Sequence, residues 1–476
     1  MNKEDICFMS AWEMREKIKT QELSSEEITE VIIKRIEKIN PIINAYCTPT
    51  FELARETAKK SDSSVRKGEE LGLLNGIPTS IKDLMQTKGI RTTYGSKLYE
   101  DFIPDQDDIV VQRLMKAGCV VLGKTNTPEF GHMALTKNKI FGETKNPWDQ
   151  EKNSGGSSGG AASAVASGLG PLALGSDGGG SIRVPSSLCG VYGLKPTFGR
   201  IPSYPRIGIA FYTMDHYGPI VRHVKDAALM LNVMKGNHPA DRNSFPDDNI
   251  DYVEILNHIP KKLKIGYSMN LGFFKALDNE VKENILENIH KFEQLGWEVE
   301  EAKIKIKNPE LAMKTLVSIG YAYDLQKDFD KTPDILSPDL IATVRLGLDN
   351  TPISIGKANE QRKRINEILY QYFKNYDILI TPTTPCPAFT PEYLESGTIY
   401  PIINNKALSI ISWISFTYPF NMSGLPAASI PSGYNNSGLP IGMQIVGKRF
   451  DEKTVLQVSK AFEEIAPWQD KRPKFN

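Results

Sequence analysis

Two glycine and serine turns hold the residues with the widest chemical reach in this chain: Gly155-Gly156-Ser157-Ser158-Gly159-Gly160 and Gly178-Gly179-Gly180-Ser181. Runs of glycine let the backbone take positive φ and turn successive N–H donors toward one point, a nest that accepts an anion, permanent or transient. A serine in each turn adds a hydroxyl where those donors converge. That is the pairing of nucleophile and oxyanion donors that acyl transfer needs. The same letters also read as two glycine-rich surface loops. A third candidate lies upstream, where Lys82 closes the run Ile77-Pro78-Thr79-Ser80-Ile81 and is followed by Asp83 and Leu84. Lysine is usually a solvated charge, but burial among such neighbours lowers its pKa, and a neutral lysine is a base. On an extended strand Asp83 points to the opposite face, leaving Lys82 to face the serines.

The elements that must position these residues are legible in outline. A small-residue helix over 161–167 points its N-terminal donors back at Ser157 and Ser158, and a short apolar strand over 172–177 delivers the second turn. Ser24 and Glu27 form a capping box, after which Ile28, Val31, Ile32, Ile36 and Ile39 recur at helical spacing. Residues 51–67 and 107–117 read as further helices, the second leading to a strand over 119–122. Gly118-Cys-Val-Val-Leu-Gly123-Lys124-Thr125 matches the phosphate-loop pattern letter for letter. The reading is rejected, because the intervening residues are strand formers and Thr125-Asn-Thr-Pro128 opens a turn where a phosphate loop would open a helix. Replacing Lys124 is accordingly expected to leave turnover largely intact. Farther on, 263–267, 279–295 and 296–300 read strand, helix, strand, a β-α-β piece added to the sheet, and 311–329 and 355–373 read as helices over a sheet edge.

Composition narrows the function classes. The chain has 476 residues, 40% of them hydrophobic, with no proline or serine linker and no charge block, which suits one large domain. Lys plus Arg and Asp plus Glu both number 57, so no net charge steers the surface toward nucleic acid or anionic lipid. A small, neutral substrate fits better. No stretch reaches the roughly 20 uninterrupted apolar residues of a membrane span, and the charged first residues lack a signal-peptide core, so a soluble, cytoplasmic protein is expected. Cys7, Cys47, Cys119, Cys189 and Cys386 are scattered and odd in number, and the six histidines do not cluster; neither a disulfide framework nor a metal site is expected.

Taken together, Gly155-Gly-Ser-Ser-Gly-Gly160, Gly175-Ser-Asp-Gly-Gly-Gly-Ser-Ile-Arg183, Cys189-Gly-Val-Tyr-Gly-Leu-Lys-Pro-Thr197 and Gly76-Ile-Pro-Thr-Ser-Ile-Lys-Asp83 resemble the amidase signature hydrolases. The likeness extends through Met214-Asp-His-Tyr-Gly-Pro-Ile220, Asp377-Ile-Leu-Ile-Thr-Pro-Thr384 and the tail from Phe420 to Val446, leaving only about 243–375 without a recognisable motif. It implies a single α/β domain over 1–476, a mixed twisted sheet covered by helices, with a signature core at about 72–210 and a variable substrate region at about 243–375. It also implies amide hydrolysis by a Ser–cis-Ser–Lys triad without a cofactor: Ser181 as nucleophile, Ser157 as bridging serine in a cis peptide, and Lys82 as base. The backbone N–H groups of Gly178, Gly179, Gly180 and Ser181 would stabilise the oxyanion, with Ser158 and an Asp177–Arg183 pair in support. Asp177 and Arg183 are equally compatible with a plain structural ion pair. The amidase subunits of tRNA-dependent amidotransferases usually carry Thr, Gln and Gln where this chain has Gly178, Val184 and His216. Those departures favour a stand-alone amidase; the alternative is the glutamine-hydrolysing component of such an amidotransferase, and a homodimer is compatible with either. Tyr321, Tyr323 and Trp413 are candidates for an apolar acyl or aryl pocket or, singly, for the core, and His216 for the pocket or a structural place beside Tyr217.

Overall fold

The computed structural model describes residues 2–475 apart from 206, 207, 332, 333, 395 and 396. Its centre is a mixed sheet of eleven strands: β1 (Tyr46–Pro49), β2 (Pro78–Lys82), β3 (Val120–Thr125), β4 (Leu172–Ser176), β5 (Tyr192–Lys195), β6 (Tyr217–Val221), β7 (Lys264–Tyr267), β8 (Glu298–Glu301), β9 (Ile378–Pro382), β10 (Ala427–Tyr434) and β11 (Pro440–Gly447). Their order across the sheet is β1-β3-β2-β4-β6-β5-β10-β11-β9-β7-β8. β2 runs parallel to β3 on one side and β4 on the other, and all five of its residues are buried, as expected of a strand covered on both faces. Register sets Ile81 opposite Leu174, so Lys82 and Ser176 leave the sheet at the same edge.

Local rules account for the surrounding helices. The Ser24 hydroxyl accepts the N–H of Glu27 at 3.0 Å and the Glu27 carboxylate accepts that of Ser24 at 2.9 Å, closing the capping box ahead of the helix Ser25–Ile43. The next helix, Phe51–Lys67, has the limits its sequence suggests and ends on Gly68 in a left-handed turn. β7, the helix Asn279–Ile289 with its tighter continuation His290–Leu295, and β8 form the β-α-β piece, parallel and at the far sheet edge. Beyond it lie Glu310–Lys331 and Pro352–Tyr372, as expected, and a third helix that the pattern reading passed over, Pro338–Leu348. Ser337 followed by Pro338 at the first helical position was the available signal. Among the described residues no helix is long and apolar enough to cross a membrane.

The phosphate-loop lookalike runs into β3, with Gly123 at φ 144°, in the region that favours glycine, where β1 pairs with it. A methyl group on Gly123 would fall 2.5 Å from the carbonyl oxygen of Thr48, so this glycine serves strand packing. Lys124 itself has a structural place that the pattern did not show. It is fully buried, and its Nζ donates to the Met85 carbonyl, to Thr87 Oγ1 at 2.9 Å and to Thr92 Oγ1 at 3.1 Å. The residues after β2 that flank the candidate site are thus anchored from within. Lys124→Met leaves three buried acceptors without their donor and is expected to cost about 2–4 kcal/mol. A lowered chemical-unfolding midpoint with unchanged m checks this; an unchanged midpoint refutes it.

Candidate active site

Lys82 closes β2 with its side chain fully buried. Its Nζ donates to Ser157 Oγ at 2.7 Å and Ser176 Oγ at 3.0 Å, with the Ser176 carbonyl at 3.5 Å. Burial pushes its pKa down to about 7, against the pull of the Asp215 and Asp177 charges, which favour the ammonium form. Asp83 faces away, as strand alternation requires, with its carboxylate accepting the N–H of Thr93 at 3.1 Å and its hydroxyl at 2.5 Å.

Ser157 follows a cis peptide bond from Gly156. Gly156 has no room for a side chain: a methyl there would lie 2.7 Å from the backbone of Ala134 and Leu135. Thr136 ties the turn together, its hydroxyl donating to the Gly155 carbonyl at 2.8 Å and accepting the N–H of Gly159 at 3.1 Å. That last bond differs from the expected arrangement, since the first donor of the helix Gly159–Ala166 goes to Thr136 instead of back toward the serines. Ser158 joins the two turns: its N–H donates to the Ser181 carbonyl at 3.2 Å and its hydroxyl to the Ser176 carbonyl at 3.2 Å.

The second turn hangs on Asp177. Its carboxylate accepts the N–H of Gly180 at 2.7 Å and of Ile182 at 3.1 Å, and pairs with Arg183 at 2.9 Å, both side chains being fully buried. Arg183 also donates to the Thr417 carbonyl at 2.9 Å, Gln444 Oε1 at 2.7 Å and Asn421 Oδ1 at 2.6 Å. Burial by itself raises the Asp177 pKa, but Arg183, then Lys195 and Asn421, hold the carboxyl well below the usual range. The Gly180 N–H is therefore occupied, which corrects its expected place among the oxyanion donors. The N–H groups of Gly178, Gly179 and Ser181 meet no acceptor among the described residues. Gly180, at φ 138°, is the member of this turn in the region that favours glycine.

Ser157, Ser176, Gly178 and Ser181 form the floor of a cavity of about 520 Å³. Aromatic side chains line part of it, Tyr94, Tyr99, Phe130, Phe211 and Tyr321, and the charged residues Asp215, Asp324, Lys327 and Asp328 line it too. Tyr94 and Phe130 both have left-handed backbones, at φ 53° and 49°, an arrangement that costs bulky residues roughly 1–3 kcal/mol and that tends to persist at ligand-holding sites. The Phe130 N–H donates to the Tyr94 carbonyl at 2.7 Å, and the Tyr321 hydroxyl to the Phe130 carbonyl at 3.0 Å. Tyr321 thus lines the cavity and Tyr323 sits at its exposed rim, whereas Trp413 is fully buried against Phe389 and Tyr400 in the core. His216 is structural, with Nδ1 3.1 Å from the Asp177 carbonyl and its ring edge-on to Phe198. Sequence reasoning missed Ser176, though a hydroxyl closing a strand parallel to β2 was visible; the wall residues Tyr94, Phe130 and Phe211 gave no comparable signal.

The sheet and the two turns bring Ser157, Ser176 and Ser181 to one cavity, with buried Lys82 bonded behind Ser157. The amidase family model matches residues 27–456, and the chain belongs to the amidase signature family, enzymes that cleave carbon–nitrogen bonds. It is 38% identical to an acylamidase of Rhodococcus erythropolis, over 99% of this chain and 98% of that one. It is also 38% identical to one subunit of the glutamyl-tRNA(Gln) amidotransferase of Carboxydothermus hydrogenoformans, over 99% of this chain and all of that one. Among solved structures, a bacterial aryl acylamidase of the amidase signature family superposes with a TM-score of 0.90 at 31% identity, covering 97% of both chains.

The Asp177–Arg183 pair gives a pH prediction. Arg183→Met strands a buried carboxylate and is expected to cost about 3–5 kcal/mol at neutral pH. In the wild type the depressed Asp177 pKa makes its contribution complete above the ordinary carboxyl value of 3.8, to be lost only as pH falls toward the lower folded value. In the variant burial raises that pKa, so the folded state binds more protons than the unfolded one and gains stability on acidification. The gap between the two proteins, measured by chemical unfolding, should narrow from pH 7 to pH 4; a constant gap would show that the variant's loss is not electrostatic.

Proposed function

We propose that this protein is a stand-alone amidase that hydrolyses the carboxamide bond of a small substrate through an acyl-enzyme on Ser181. The observation that carries the reading is the 2.7 Å contact between Ser157 Oγ and a buried lysine whose pKa is pushed down to about 7. Neutral Lys82 accepts a proton from Ser157, which takes one from Ser181 as that oxygen attacks the carbonyl carbon. The developing oxyanion is met by N–H groups among Gly178, Gly179 and Ser181. Ser157 then returns the proton to the leaving nitrogen, the C–N bond breaks, and ammonia or an amine departs. Water attacks the ester by the same relay in reverse, freeing the carboxylate and Ser181. Ser176 holds the lysine in line through its 3.0 Å contact. A cytoplasmic setting fits the free state of all five cysteines.

Likeness to the acylamidase of Rhodococcus erythropolis supports this reading, as do the departures at Gly178, Val184 and His216. Equal identity to an amidotransferase component keeps a second reading in view, in which glutamine is the amide and a partner protein takes the ammonia. Ammonia or amine release from primary amides, anilides and glutamine by the purified chain separates the two. Turnover of anilides without a partner supports the first; glutamine-restricted, partner-dependent activity supports the second.

Ser181→Ala should abolish both turnover and labelling by a fluorophosphonate, and an adduct mapped to another serine would overturn the assignment. Ser157→Ala should lower kcat by about 10²–10⁴-fold, the usual worth of a proton relay. Because the base must be neutral, kcat at saturating substrate should rise with pH along an acidic limb near 7, and that limb should vanish from the residual rate of Lys82→Ala. A limb that survives the substitution would assign it to another group.

A further inference from the structure

Phe211 lines the same cavity as Ser157 and Ser181 and stands over the turn that carries Ser181. A methyl group built on Gly178 would lie 2.6 Å from Phe211 Cδ1, 2.7 Å from Cγ and 3.1 Å from Cε1. Carbon atoms do not approach that closely without displacement, so the ring already fills the volume that a side chain at 178 would need. The ring is also held in place. It packs edge-on against Tyr321 with centroids 5.9 Å apart and planes at 88°, and Tyr321 is fixed by its hydrogen bond to the Phe130 carbonyl. On the helix Glu310–Lys331, Gly320 lets the backbone of Ala210 approach so closely that an added methyl would fall 2.2 Å from its Cα. Asp324 on the same helix accepts the N–H of Ile209 at 2.7 Å and of Ala210 at 3.1 Å. Moving Phe211 aside therefore means undoing a packed and hydrogen-bonded segment.

The geometry points to Phe211, interlocked with Gly178, as the residue that limits how wide a substrate can be next to its scissile carbonyl. The inference rests on Ser181 as nucleophile, because a carbonyl carbon within reach of Ser181 must sit beside this turn. It deepens that reading by naming a substrate class: carboxamides narrow and unbranched at the carbonyl. A phenylalanine ring is the narrowing element, and Gly178 is the residue type it demands.

The test uses the p-nitroanilides of acetic, propionic, isobutyric and pivalic acids with wild type, Phe211→Ala, Gly178→Ala and the double variant. Phe211→Ala should raise the ratio of isobutyryl to acetyl kcat/KM at least about tenfold over wild type, the scale at which a pocket discriminates one methylene. Gly178→Ala should lower both the acetyl kcat/KM and the thermal midpoint, and both losses should shrink when Phe211 is also alanine, a non-additivity expected only of groups in contact. An unchanged acyl ratio, or additive losses, would overturn the role of Phe211 while leaving the amidase reading intact. Should no anilide react while Ser181 is still labelled, the labelling rates of methyl and isopropyl fluorophosphonates supply the same ratio. Neither turnover nor labelling in wild type would bring down the reading and the inference together.

Discussion

A lysine closed off from water costs the fold stability unless it sheds its proton, and the surroundings of Lys82 are arranged around that constraint. β2 lies between two parallel neighbours and delivers the side chain where nothing but hydroxyls and one carbonyl can meet it. Two carboxylates within electrostatic range oppose the loss of charge. One of them, Asp177, is paired with Arg183 and fixes the 178–181 turn by accepting the N–H groups of Gly180 and Ile182. Burial is what pushes the lysine's pKa down, against both carboxylates, while the ion pair shapes the turn.

Among the described residues three lysines are fully buried, and their partners tell them apart. Lys195 donates to the carbonyls of Pro196 and Leu425, and Lys124 to the Met85 carbonyl and two threonines that do not line the cavity. A carbonyl accepts a hydrogen bond but has no proton to pass on. Lys82 alone of the three meets the hydroxyl of a cavity-lining serine next to a second such serine, which is what a relay requires. Depressed pKa is common to all three and discriminates nothing by itself.

The readable part of this sequence was the part governed by short-range rules. Capping at Ser24, the Phe51–Lys67 helix, the strand that ends at Lys82 and the two glycine turns follow from residue type and period, since each is decided within a few residues. The strand character of 119–125 was also enough to set aside the phosphate-loop pattern. What the letters did not carry was contact over long separations. That Gly180 would give its N–H to Asp177, that Lys124 would be an anchor, and that Trp413 would belong to the core depend on which segments meet, and no local period encodes that.

The division between floor and walls of the cavity follows the same line. The floor comes from residues near one another in sequence or on adjacent parallel strands, with geometry that turns and register set tightly, so the reaction type could be read early. The walls come from four separated places, around Tyr94, Phe130, Phe211 and Tyr321, joined by one backbone bond, one hydroxyl bond and ring contacts. Phe211 is the place where wall and floor are interlocked, since its ring fills the volume a side chain on Gly178 would need. The strand that carries Lys82 and the wall segments are thus held by different contacts, and Gly178 is where the two sets meet.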